Sequence, residues 1–183
     1  KTPVTMLKQL QFRLPGRHNL SNALIALAMA VEYGVPTPEL TKALASYKGV
    51  KRRFTYQIKT EKLVFIDDYA HHPEEINAVH QAVREMYPED KVLAIFQPHL
   101  FSRTRDFGVE FAQSLSNFDE LLLLDIYPAR ELPIQGISSQ WLLDKISNPK
   151  KQLTNKSNII QKIKESNAKI ILTIGAGDIG AEV

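Results

Sequence analysis

No cysteine occurs among the 183 residues. That excludes disulfides, thiolate zinc sites and thiol nucleophiles, and it permits a reducing, cytoplasmic setting. No apolar run approaches the roughly 18 residues of a membrane span. No basic-then-apolar leader opens the sequence, and no H-x-x-x-H or H-x-H spacing marks a metal site. Charge of one sign is also scarce. Twenty-three basic against 20 acidic side chains leave a net +3, far from the clustered basic face of a nucleic-acid binder. What remains is a chain with 44% hydrophobic residues, enough for a buried core. Both ends read as cut, so a piece of a larger protein is expected.

Leu14–Gly34 reads as a glycine-containing turn leading into a helix. From Leu20 to Val31 that helix is apolar nearly all round, which predicts burial. Thr37-Pro38-Glu39 opens a second helix with a cap, an early proline and an acid at the positive end. Its stripe is Leu40, Leu44 and Tyr47, and Gly49 closes it. The short basic stretch Gly49–Phe54 is the expected domain boundary.

Beyond it the periodicity changes. Phe54, Tyr56 and Ile58 alternate and Leu63–Ile66 runs apolar, which predicts a hairpin with one edge strand. Val92–Phe96, Leu121–Ile126 and Ile170–Ile174 are short continuous apolar runs, as in parallel strands covered on both faces. Between them lie amphipathic stretches: Pro73–Tyr87 with Ile76, Val79, Val83 and Met86 on one face, then Phe101–Leu115, Ser138–Ile146 and Ser157–Glu165. Strand alternating with helix predicts an α/β fold, a doubly wound, mostly parallel sheet with an antiparallel edge strand and right-handed crossovers.

The unusual polar residues follow the strands. "DDYAHHP" (Asp67–Pro73), "QPHLFSRTRD" (Gln97–Asp106), "DIYPARELP" (Asp125–Pro133) and "GAGDIG" (Gly175–Gly180) each sit at a strand's carboxyl end, the edge where open parallel sheets bind ligands. Several readings stay open. His71-His72 suits a polar turn before the Pro73 helix, whose start Glu74 and Glu75 favour, or a general base. Adjacent histidines point apart, so one metal rarely takes both. Arg103 and Arg105 suit a carboxylate or phosphate, or simple pairing with Asp106 or Glu110. "GAGDIG" fits a dinucleotide pattern without a following βαβ unit. His80 and Trp141 read as packing residues.

Taken in order, "LPGRHNLSNALIALA", "GVKRRF", "DDYAHHP", "QPHLFSRTRDF", "DIYPARELPIQGISS" and "GAGDIG" closely resemble the C-terminal part of the Mur ligases. The resemblance covers essentially the whole chain. It is nearest to the branch that joins L-alanine to UDP-N-acetylmuramate, ahead of the branch that adds a tripeptide to the same sugar and of folylpolyglutamate synthase.

The resemblance implies a Rossmann-like domain over 51–183 that receives the amino acid. Residues 1–50 would be the helical tail of a central ATP-binding domain. It implies ATP and Mg2+ as cofactors, with magnesium ligands mainly on the central domain. That domain and the N-terminal UDP-sugar domain lie outside this sequence, and the G-x-x-G-K-[ST] phosphate loop is absent from it. By position in the motifs, His18, Asn19 and Asn22 would lie by adenine, Arg53 at the phosphates and Asp68 near ribose and phosphates. Tyr69, His71 and His72 would line the amino-acid pocket, with His71 a candidate base, and Arg103 would bind a carboxylate. Some relatives carry arginine where this chain has Leu100, so one carboxylate contact is expected to be missing or replaced. The Gly49–Arg53 boundary is a plausible hinge. No metal site of the chain's own, no nucleic acid and no membrane partner are expected.

Overall fold

The structure, a computed structural model, describes residues 10–182. They form two compact units, one through Val50 and one from Lys51 on. In the first, helix α1 runs Arg17–Glu32 and α2 runs Thr37–Ser46. The expected burial of α1 is overturned. Ala23 and Leu27 are buried, but Leu20, Leu24, Ile25 and Met29 are exposed. The helix buries one narrow stripe, and its other apolar side chains are exposed. The start of α2 also differs. Pro36 is its cap residue and no side chain caps it, while Thr37 is already helical. Leu40 is buried, whereas Tyr47 is exposed.

In the second unit a six-stranded sheet has the order β1-β2-β6-β3-β4-β5. Its strands are β1 Thr55–Lys59, β2 Val64–Asp68, β3 Val92–Phe96, β4 Glu120–Leu123, β5 Lys151–Leu153 and β6 Ile170–Ile174. β1 is antiparallel to β2, and the remaining pairs are parallel. β5 was not expected. It is a short edge strand of lysine, glutamine and leucine, with no apolar run to announce it.

Alternation along the strands sorts the core into two layers. Val92, Ala94 and Phe96 face helices α3 (Pro73–Met86), α5 (Gly108–Leu115) and α6 (Ser139–Lys145). Leu93 and Ile95 face α7 (Ile159–Glu165) and the start of α8 (Ile179–Glu182). Met86, placed by its spacing on the buried face of α3, is 38% exposed at the last turn. The stretch Phe101–Leu115 is two helices, α4 (Phe101–Asp106) and α5, meeting at Phe107. At this junction position 108 has to be glycine: a Cβ there would collide with the Trp141 ring.

The chain leaves β2 and β3 toward one face of the sheet and leaves β6, which lies between them, toward the other. Adjacent strand ends that diverge this way open a crevice at the carboxyl edge.

Far from that edge, His80 is a packing histidine. Its ring meets Phe118 edge-on at 4.9 Å, and its buried Nε2 has no hydrogen-bond partner. Burial, then the Arg84 charge, hold its pKa below the ordinary 6.5. The folded state therefore favours the neutral ring. Its contribution to stability is complete above about pH 6.5 and is lost as pH falls toward the depressed folded value. His80→Leu is expected to flatten thermal stability against pH below about pH 6.5; an unchanged slope would rule His80 out as its source.

Candidate active site at the carboxyl edge of the sheet

The chain enters the sheet through Arg52-Arg53-Phe54. Arg52 and Phe54 both have positive φ, 59° and 51°. The other non-glycine residues with positive φ among those described are Leu100 (75°) and Ala129 (49°). All four stand in loops at the carboxyl edge. Backbone of this kind costs on the order of 1 kcal/mol each and persists where its surroundings enforce it, commonly at functional sites.

Arg52 is what enforces it at the entry. Its Nε lies 3.1 Å from Asp67 Oδ2, and its Nη1 and Nη2 donate to the Gly177 and Gly175 carbonyls at 3.0 and 2.6 Å. Asp67, 1% exposed, also accepts from Thr173 Oγ1 at 2.8 Å. The glycines of "GAGDIG" are thus explained by the chain itself. A Cβ at Gly177 would strike Gln97 and Tyr127, and one at Gly180 would strike Arg52. Gln97 joins the two diverging strand ends, donating to Asp178 and accepting from the Ile179 N–H at 2.9 and 3.1 Å. This loop is filled by its own side chains, which removes the support for a dinucleotide reading.

Asp68, expected beside nucleotide, is 3% exposed. Its two oxygens accept from the Phe54 and Ala70 N–H groups at 2.7 and 2.8 Å. Burial lifts its pKa to about 6 against the pull of those N–H groups and of Arg53. In this structure Asp68 ties the entry segment to the loop after β2.

Arg53, by contrast, points outward with half of its side chain exposed, 3.6 Å from Glu75 Oε1. Its guanidinium lies 5.8 Å from the Tyr69 ring. The Tyr69 ring in turn meets His71 edge-on at 5.4 Å. His71 Nδ1 is 3.0 Å from the Tyr69 carbonyl and 3.3 Å from Glu75 Oε2. Both partners are acceptors, so Nδ1 carries the proton and the lone pair is on Nε2.

The adjacent histidines do diverge. His72 turns to Phe107, ring centroids 4.6 Å apart, and does not join His71. His71 instead faces His99, 6.2 Å away, whose ring stacks on Tyr127. Burial, then Arg103 and His71, hold the His99 pKa low, so its ring is neutral near pH 7. Arg103 Nη1 lies 3.3 Å from His99 Nδ1 and makes no ion pair among the described residues. Arg105 behaves otherwise, pairing with Asp106 at 2.7 Å. Glu131 accepts from the Ser102 N–H at 2.9 Å and from its hydroxyl, which pins the turn that carries Arg103. His99 and Glu131 were not singled out from sequence. His99's place directly after the β3 run was the available signal.

The structure therefore gathers Arg53, Tyr69, His71 and Arg103 at one edge and adds Glu75 and His99. His18, Asn19 and Asn22 stand in the first unit, on the opening turns of α1, where Asn19 donates to the Pro15 carbonyl at 2.7 Å. No group of three or more His, Asp or Glu side chains suited to a metal occurs among the described residues. No helix among them is long and apolar enough to cross a membrane.

Residues 52–179 match the family model described as Mur ligase, glutamate ligase domain. The chain belongs to the Mur ligase family. It is 67% identical over its full 183 residues to the UDP-N-acetylmuramate–L-alanine ligase of Flavobacterium psychrophilum, and covers 41% of that protein. Against the same-named ligase of Christiangramia forsetii it is also 67% identical, covering 40%. The chain thus spans about two-fifths of the length of these relatives. Among solved structures, a UDP-N-acetylmuramate–alanine ligase from Thermotoga maritima matches with TM-score 0.76 and 27% identity over 94% of this chain and 37% of that one. A folylpolyglutamate synthase from Mycobacterium tuberculosis, TM-score 0.71 at 14% identity, covers 94% of this chain and 40% of its own and shares the fold alone. Within this Mur ligase family member the sheet edge, not the glycine loop, gathers Arg53, His71 and Arg103.

Proposed function

We propose that this chain is the C-terminal part of an ATP-dependent ligase of peptidoglycan biosynthesis that joins L-alanine to UDP-N-acetylmuramate in the cytoplasm. Residues 1–50 are the tail of its central ATP-binding domain, and 51–183 form the domain that receives the amino acid. The observation that carries this reading is Arg103, a half-buried guanidinium with no carboxylate at ion-pair distance among the described residues, set beside His99, whose ring faces His71. The names of the relatives supply the substrates.

In this reading the muramate carboxylate attacks the γ-phosphate of ATP to give an acyl phosphate and ADP. The alanine amine then attacks the acyl carbon, and phosphate leaves. Arg103 holds the alanine carboxylate, so that the second step begins from an oriented pair. His71 Nε2 takes the ammonium proton, freeing the amine to attack. Arg53 meets the phosphates, and its long 3.6 Å pair with Glu75 is one that phosphate oxygens can compete for. His18, Asn19 and Asn22 serve adenine. In this reading the Mg2+ ligands lie mainly on the central domain; among the described residues no group of three or more His, Asp or Glu side chains is placed to hold a metal.

The test is phosphate release by the full-length protein with ATP, Mg2+ and UDP-N-acetylmuramate, offering L-alanine and the tripeptide separately. Release with L-alanine alone is expected, and none from the 183-residue chain, which contains no G-x-x-G-K-[ST] phosphate loop. Release only with tripeptide would replace the reading by the recycling ligase.

A further inference from the structure

One carboxylate stands between the two halves of this site. Glu75 Oε2 accepts from the His71 and His72 backbone N–H groups at 2.9 and 3.2 Å and lies 3.3 Å from the His71 ring. Its other oxygen, Oε1, faces Arg53 at 3.6 Å. The split is enforced by position. Glu75 occupies the first turn of α3, directly behind the histidine loop, while Arg53 arrives from the entry segment that Arg52 and Asp68 lock in place. The Tyr69 ring lies near both ends of this link, 5.8 Å from the Arg53 guanidinium and 5.4 Å edge-on to the His71 ring, with Arg52 also 5.1 Å away.

From this geometry we propose that Glu75 is a positioning residue that couples the nucleotide side of the site to the amino-acid side. The inference rests on the roles proposed above for Arg53 and His71. In the free protein Glu75 is shared. Oε2 fixes the His71 ring with its proton on Nδ1, and Oε1 restrains Arg53. When phosphate oxygens draw Arg53 away, Oε1 loses its cation and the full carboxylate charge is left to the histidine side. The Nδ1 proton then faces a stronger acceptor, and Nε2 becomes the more basic for it, as when a carboxylate orients a histidine base. Binding on one side thus prepares the other without movement of the loop.

The charged and titratable groups that bear on this link come from each neighbouring element. They are the charged Arg53 from the entry segment and Arg103 from the loop after β3, and the titratable Tyr69, His71 and His72 from the loop after β2 and His99 from the loop after β3, with Glu131 acting on His99. Glu75 keeps its negative charge among them. Burial pushes its pKa up, but the His71 backbone N–H, the adjoining His71 ring and Arg53 together bring it below the ordinary carboxylate value.

Glu75→Gln separates the two arms. An amide can still present an oxygen to the loop N–H groups and to His71 Nδ1, but its NH2 then faces Arg53. The experiment is a double-mutant cycle on kcat/KM in the full-length protein. Arg53→Ala and His71→Ala are combined, first in the wild-type background and then with Glu75→Gln. In the wild type the two losses should be non-additive by about threefold or more, and in Glu75→Gln they should multiply. Additive losses in the wild type, or coupling that survives Glu75→Gln, overturn the proposal. A separate readout needs no variant. The 15N imidazole spectrum of wild-type His71 should show the neutral ring protonated on Nδ1, and a ring protonated on Nε2 overturns the proposal regardless of kinetics. If Arg53→Ala leaves ATP kinetics unchanged and His71→Ala leaves turnover unchanged, the functional reading itself fails, and the coupling with it.

Discussion

Arg103→Ala in the full-length protein is expected to lower kcat/KM for L-alanine by roughly 10- to 150-fold, the value of losing charge-assisted hydrogen bonds of about 1.5–3 kcal/mol. The loss should fall mainly on KM. The amino-acid carboxylate does not react, so Arg103 grips it equally in ground and transition states. Apparent KM for ATP should stay near the wild-type value. Arg105→Ala is the internal control: that arginine already pairs with Asp106, and both are about half exposed. L-alaninamide sharpens the test. Wild type should discriminate strongly against it, and Arg103→Ala should lose most of that discrimination, because the pocket no longer reads the carboxylate. An unchanged L-alanine KM in Arg103→Ala would remove Arg103 from the amino-acid site and leave His99 and the strained Leu100 turn without a substrate to serve.

Residue type alone does not separate the two arginines of the Ser102–Asp106 stretch, and only the family resemblance chooses Arg103, because part of what sets it comes from far along the chain. Arg103 is set by His99 across the start of α4 and by Glu131, 29 positions from the Ser102 it holds. The strands β2, β3 and β6 were legible for the opposite reason: strands buried on both faces must be continuously apolar. β5 carries two polar residues at an edge and left no such trace. The close approach of Trp141 to Gly108, beside the break at Phe107, is a contact that no local periodicity records. Burial of α1 failed as an expectation because an apolar face states a need for cover and does not supply it. Of the site, the edge was legible from where polar residues cluster. Glu75 was readable only as an acid suited to a helix start, since its second oxygen meets Arg53 through the fold.

The adjacent arginines of the entry segment give the second large effect, and in opposite currencies. Arg52→Ala should destabilise the protein by about 3 kcal/mol, the low end for breaking a buried pair. It strips the guanidinium from Asp67, 1% exposed, and leaves the Gly175 and Gly177 carbonyls without their donor. At roughly 2–4 °C per kcal/mol for a chain of this size, thermal unfolding should fall by about 6–12 °C. Arg52→Lys should recover part of this, since one ammonium can sit near Asp67 but cannot span both glycine carbonyls. Arg53→Ala should change stability by no more than about 1 kcal/mol, as for any exposed ion pair. Its effect appears in the assay, as a roughly 10- to 150-fold rise in the ATP requirement if phosphate oxygens are its ligand. Melting curves and ATP titrations on both variants therefore cross. If Arg53→Ala were the unstable one, or if Arg52→Ala kept its melting point, the entry segment would be held by something other than the Arg52 fork. The outward reach of Arg53 would then have no fixed base.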